Sequence, residues 1–141
     1  LIILDTNVVS EPLRSNPDGA VQRWLDRQRA ETLFLTATNL AELLSGIRIL
    51  PAGRRKDSLS TSLEKLLDAL FNTRVLPFDK LAAIEYAVCI GRTRSAGHTI
   101  GVADAQIAAI AATRGFIVAT RDTTPFVAAG LKTVNPWDEG K

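Results

Sequence analysis

The stretch Leu1-Ile2-Ile3-Leu4-Asp5-Thr6-Asn7-Val8-Val9-Ser10 decides the fold class. Leu1–Leu4 is apolar without alternation, the pattern of a strand buried on both faces, and such strands belong to parallel sheets. Asp5 then breaks the run at once. An aspartate is a poor strand terminator between Leu4 and Val8 unless it faces a site. In an open parallel sheet the ligand crevice lies just past the carboxyl ends of the strands, where Asp5 falls.

Working outward, strand-like and helix-like segments alternate. Pro17 and Asp18 open a helix through about Arg29, with Val21, Trp24 and Leu25 on one face. Leu33–Leu35 is a second strand, and Thr38 to Leu50 a helix carrying Leu40, Leu43, Leu44 and Ile47, stopped by Pro51. A turn at Gly53–Arg55 leads into a helix marked by Leu59, Leu63, Leu66, Leu67 and Leu70. Val75–Leu76 is a third strand. Asp79 caps a helix through about Ser95 that is predicted to turn Leu81, Ile84, Val88 and Cys89 inward. A small-residue helix, Val102 to Arg114, places Ile107, Ile110 and Ala111 inward, with Gly115 as its C-terminal cap. Phe116–Ala119 and Leu131–Val134 supply the fourth and fifth strands. Strands separated by helices imply βαβ units with right-handed crossovers.

Composition sets the outer bounds. The chain has 141 residues, 46% apolar and 23% charged, which suits one domain over 1–141 and excludes a disordered chain. The one cysteine, Cys89, permits neither a disulfide framework nor a cysteine zinc site, so a reducing compartment is expected. No apolar run approaches the ~20 residues of a membrane helix, and the N-terminus lacks a signal peptide's basic region. A cytoplasmic protein without membrane contact is the expectation. There is no G-x-x-x-x-G-K loop, which argues against a P-loop nucleotidase. His98, the only histidine, sits in a loop and reads as solvated; Cys89 reads as core. The basic clusters Arg54-Arg55-Lys56, Arg92 with Arg94, and Arg23/Arg27/Arg29 read as solvated faces, and Trp24 and Trp137 as packing.

The crevice rule singles out four acids. Asp5 follows the first strand and Asp122 the fourth; Glu42 lies one turn into the helix after the second, and Asp104 in the first turn of the helix before the fourth. Each has a purely structural alternative or lacks one. Asn39-x-x-Glu42 also fits a capping box, and Asp122 before Thr123-Thr124-Pro125 fits an ordinary N-cap. Asp5 and Asp104 have no such excuse, Asp104 interrupting an otherwise apolar helix where an unpaired carboxylate is costly. Four carboxylates in one pocket repel, so one takes up a proton or a cation enters. A hard divalent ion such as magnesium accepts oxygen ligands and is commonly held by one or two carboxylates.

Four segments, in order, carry a family resemblance: Leu4-Asp5-Thr6-Asn7-Val8-Val9-Ser10, Asn39-Leu40-Ala41-Glu42-Leu43, Val102 to Ala109 around Asp104, and Ala119-Thr120-Arg121-Asp122-Thr123. They resemble the acidic motifs of PIN-domain ribonucleases, and the likeness extends over essentially the whole chain. The closing Val134-Asn135-Pro136-Trp137 is similar to the end of the VapC/FitB branch, toxins of bacterial toxin–antitoxin pairs. The resemblance implies a three-layer α/β/α domain about a parallel sheet of four to five strands, and Mg²⁺- or Mn²⁺-dependent cleavage of RNA. It implies Asp5 and Asp104 as principal metal ligands, with Glu42 and Asp122 acting directly or through water. Thr6, Asn7 and Thr120 would orient Asp5 or a bound water. Arg121, beside Asp122, is the candidate for holding substrate.

It further implies a homodimer and a cognate antitoxin blocking the acidic pocket, with DNA met only through that antitoxin. The apolar helices at 53–70 and 38–50 are the candidate interfaces. Two other readings remain: a non-catalytic partner of a DNA-binding antitoxin, and a haloacid-dehalogenase-type phosphatase. The phosphatase fits poorly, since it wants a second aspartate where this chain has Asn7. Assigning four acids to one pocket leaves 11 of the 15 acidic residues against 17 basic ones elsewhere, a surface more basic than the net +2 suggests.

Overall fold

The apolar opening run becomes β1 (Ile2–Leu4), the middle strand of the sheet. The computed structural model describes residues 1–139. β2 (Leu33–Thr36), β3 (Val75–Leu76), β4 (Ile117–Ala119) and β5 (Thr133–Val134) complete a five-stranded sheet in the order β3-β2-β1-β4-β5. All pairings are parallel. From β1 the chain builds outward through β2 and β3, then crosses to the other side for β4 and β5. The direction of winding therefore reverses at β1, and the crevice of such sheets opens at that point.

Helices cover both faces. α1 (Thr6–Ser10), α2 (Gly19–Arg27), α3 (Ala37–Arg48) and α4 (Arg54–Leu70) supply Val8, Val9, Val21, Trp24, Leu43 and Leu63 to one core, which includes Leu4 and Ala119 of the strands. α5 (Lys80–Ser95), α6 (Val102–Arg114) and α7 (Thr124–Ala128) supply Cys89, Ile107, Ile110 and Phe126 to the other, with Ile3 and Val118. Ile3 and Leu4 thus point to opposite layers, as the two-residue period of a strand requires. Each fully buried Leu, Ile or Phe side chain contributes roughly 1.5–3 kcal/mol of transfer free energy to this arrangement.

The predicted three-layer class and parallel sheet are observed, with small shifts at the boundaries. The helix opened by Asp18 ends at Arg27 rather than Arg29, and Asp18 caps it by accepting hydrogen bonds from the amides of Ala20 and Val21. α4 begins at Arg54, so most of the predicted turn at 53–55 is already helix. Gly115 closes α6 with φ +68°, a left-handed turn that a side chain would strain.

α5 overturns its predicted face. Leu81 (60% exposed), Ile84 (55%) and Val88 (39%) look outward; of the four residues expected inward Cys89 alone is buried, and it shares the inner stripe with Ala82 and Thr93. α6, its neighbour, presents Ala108 and Ala111 to the same core. Small residues on both helices permit close approach, which favours the Ala82–Cys89–Thr93 stripe over the larger one. α4 buries Leu63 in the core and packs Leu66, Leu67 and Leu70, half-buried, against it.

Candidate active site

Parallel register brings Leu4 beside Ala119, and the Asp5 amide donates to the Ala119 carbonyl at 2.9 Å. Asp5 therefore stands next to Thr120 where β1 and β4 end. It caps α1, and its side chain is 7% exposed. Three donors hold it: the Thr6 amide (2.8 Å) and Asn39 Nδ2 (3.1 Å) on Oδ1, and Thr120 Oγ1 (2.8 Å) on Oδ2. A buried carboxylate so bonded keeps a fixed orientation.

The same network reaches the next acid. Asn39 Nδ2 also donates to Thr6 Oγ1 (3.0 Å), and that hydroxyl donates to Glu42 Oε1 (2.8 Å). Glu42 thus does not close a capping box. The cap of α3 is Thr36, whose hydroxyl accepts from the Asn39 amide and donates to Asn39 Oδ1. Asn39 lies one turn further in than expected, fully buried, with its amide group aimed at Asp5 and Thr6. The residue pattern had marked Asn39 only as a cap. Its hydrogen-bonding reach was hidden because capping and orienting a carboxylate ask for the same residue types.

Asp122 follows Thr120, and its amide donates to the Thr120 hydroxyl at 3.2 Å. Its side chain is exposed and caps nothing: the residue before α7 is Thr123, so the ordinary N-cap reading fails. Asp104, in the first turn of α6, faces the same space from the third side. Its carboxyl is pushed up to about 6 by burial and by the charges of Asp5, Glu42 and Asp122, in that order. All four acids therefore share one electrostatic environment, and none of the influences on Asp104 is a basic side chain. Asn7 is placed on the rim, its Oδ1 accepting from the Arg121 amide at 3.5 Å.

The donors present are carboxylates, hydroxyls and amides, a set that suits a hard cation and not a thiophilic one. Among the described residues no three His, Cys, Asp or Glu side chains close into a ready-made metal cage. Magnesium does not need one, since it retains several waters and takes one or two carboxylates directly.

A groove of ≈570 Å³ runs from Thr6 and Glu42 between α1, α3 and α4, lined by Leu43, Ile47, Leu50 and Leu59 with Arg14 and Arg55 at its sides. His98 is exposed, in the loop between α5 and α6.

The PIN domain model matches residues 2–130. The chain is 51% identical over 138 residues to the plasmid stability protein StbB of Pseudomonas syringae, covering 98% of this chain and 99% of that one. It is 49% identical to the VapC ribonuclease Y4jK of Sinorhizobium fredii (98% and 99% covered) and 42% identical to toxin FitB of Neisseria gonorrhoeae (99% and 100%). A solved structure of FitAB bound to an IR36 DNA fragment superposes with a TM-score of 0.94 at 40% identity, covering 100% of this chain and 99% of that one. With acids at the carboxyl edge of a parallel sheet and near full-length similarity to these relatives, the chain belongs to the PIN-domain family, in its VapC/FitB branch.

Proposed function

We propose that this protein is a divalent-metal-dependent endoribonuclease and the toxin of a toxin–antitoxin pair. The observation that carries the reading is the four-acid pocket, in which Asp104 is raised by burial and by its three acidic neighbours without a basic residue to offset them. Asp5 and Asp104 would hold Mg²⁺ or Mn²⁺, with Glu42 and Asp122 supporting it directly or through water. A bound ion of this kind activates water and neutralises charge developing on a phosphodiester. The chain's own part is to hold the ligands still. Thr6, Asn39 and Thr120 fix Asp5, and Thr6 fixes Glu42. Asp122, exposed beside them, is placed to order a water on the substrate side.

Relatives solved as FitAB and VapBC complexes, some with DNA, support an antitoxin partner and DNA contact only through it. The groove beside Glu42, apolar within and basic at its rim, suits a segment of that antitoxin. The outward stripe of α5, rather than α4, suits a homodimer contact. Among the described residues no helix is long and apolar enough to cross a membrane, and a cytoplasmic site of action fits RNA as substrate. The non-catalytic reading predicts antitoxin binding with no RNA cleavage by the purified chain. The phosphatase reading gives way to the PIN match. Purified protein should cleave single-stranded RNA in Mg²⁺ or Mn²⁺ and lose this in EDTA. Cleavage that survives Asp5→Asn together with Asp104→Asn would assign the activity to a contaminant.

A further inference from the structure

Arg121 stands between Thr120 and Asp122 at the mouth of the acid pocket, and its surroundings fix it unusually well for an exposed residue. Its guanidinium lies 5.0 Å from the centre of the Trp137 ring, within the range of a cation–π contact. Trp137 itself is 9% exposed and packed into the core, which anchors the platform. The backbone is held from both sides. The Arg121 amide donates to Asn7 Oδ1 (3.5 Å), and Asn135 Nδ2 donates to the Arg121 carbonyl (3.4 Å). Asn135 Oδ1 in turn accepts from the Trp137 amide at 3.0 Å, closing the turn that carries the ring. Among the described residues no carboxylate forms an ion pair with Arg121, although Asp122 is its sequence neighbour.

We infer that Asn135-Pro136-Trp137 is a positioning turn that presents Arg121 as a docking cation for an RNA phosphate flanking the one cleaved. The inference rests on the ribonuclease reading of the acid pocket. An arginine stacked on an indole keeps its outer edge free for bidentate hydrogen bonds to phosphate, with little rotamer entropy left to lose. Placed next to Asp122, it gives an acidic pocket the positive contact that a polyanion needs on approach. Ion pairing with Asp122 or Asp5 would forfeit this, and the guanidinium rests on the ring with no such ion pair among the described residues. The motif that ends the sheet thereby takes part in substrate binding as well as in packing.

The test is steady-state cleavage of a labelled single-stranded RNA dodecamer in Mn²⁺, with fluorescence anisotropy of the same RNA in EDTA, each from 50 to 300 mM KCl. Arg121→Gln should raise KM and Kd about tenfold with kcat nearly unchanged, and flatten the log–log salt dependence by about 0.7, one single-strand phosphate contact. Arg121→Lys should recover only part of the affinity, because a lysine carries the charge without the stacked planar fork. Asn135→Ala and Trp137→Phe, both with circular dichroism matching the parent, should each raise KM about threefold without changing kcat. A wild-type KM and salt slope in Arg121→Gln would overturn the docking role. A normal KM in folded Asn135→Ala and Trp137→Phe would overturn the positioning turn. Failure of the parent protein itself to bind or cleave RNA would instead sink the nuclease reading.

Discussion

Asp5 and Asp104 share one pocket and are treated in opposite ways by the fold. Asp5 is nearly buried and receives three hydrogen bonds, one from its own helix start and two from α3 and the end of β4. Among the described residues Asp104 has no side-chain donor, and burial with three like charges raises it to about 6. One carboxylate is prepared in advance; the other is left in deficit. A pocket built from two copies of Asp5 would be stable without a cation and would gain little from one. The unsatisfied Asp104 makes cation entry favourable, because the ion relieves a cost the folded chain already bears.

The largest expected effect comes from removing either of the two proposed metal ligands. Asp5→Asn or Asp104→Asn should lower kcat/KM for RNA cleavage by at least about a thousandfold, several kcal/mol of transition-state stabilisation. Rates within tenfold of the parent in either variant would break the pairing of these residues. Next come the groups that hold Asp5 and have no counterpart at Asp104. Asn39→Ala and Thr120→Val should each reduce activity roughly 10–100-fold, as losses around metal ligands do. Excess Mn²⁺ should restore part of this, since the ligand is retained and only its orientation is lost. If Gln106→Ala cost as much as Asn39→Ala, orientation would not be specific to Asp5, because among the described residues the Gln106 side chain bonds Thr38 Oγ1, accepting at 3.0 Å, and neither Asp5 nor Thr6.

How much of this could be read from the residues follows from the same contrast. β1 and the placement of Asp5 follow from local pattern, because a strand buried on both faces leaves an unbroken apolar run and its end is marked by the first charge. α6 was equally legible along its length: Ile107 and Ile110 are buried as expected, and only Val102, at its first position, is exposed. α5 was not, because its larger apolar residues lie on the outer stripe and its buried stripe is small. A hydrophobic pattern ranks stripes by size, whereas packing against the alanines of α6 rewards smallness. Asn39 was illegible for a different reason, since its partners Asp5 and Thr6 lie more than thirty positions away. Local sequence located the caps at Asp18 and Asp79 but misread Asn39 and Asp122, whose surroundings are set by distant parts of the chain.

The smallest effect is also the cleanest discriminator, because it differs in sign between the two acids. Asp104 titrates near 3.8 in an unfolded chain and at about 6 in the folded one. Folding therefore favours its protonated form; that stabilisation is full below about 3.8 and is lost as pH rises through about 6. Fixing it neutral should recover what is lost. The shift sets a ceiling of ~3 kcal/mol, which solvent screening at a partly exposed site reduces to about 1–2 kcal/mol. Metal-free Asp104→Asn should accordingly melt roughly 4–8 °C above the parent at pH 7.5 and close to it at pH 3.5. Asp5→Asn should instead melt below the parent at pH 7.5. Its new amide would point hydrogens at groups that already donate, costing about 1–3 kcal/mol at pH 7.5. Saturating Mn²⁺ should raise the parent's melting temperature at pH 7.5 and leave Asp104→Asn nearly unmoved. Asparagine stabilising both positions, or neither, would show that the two acids are not held differently at all.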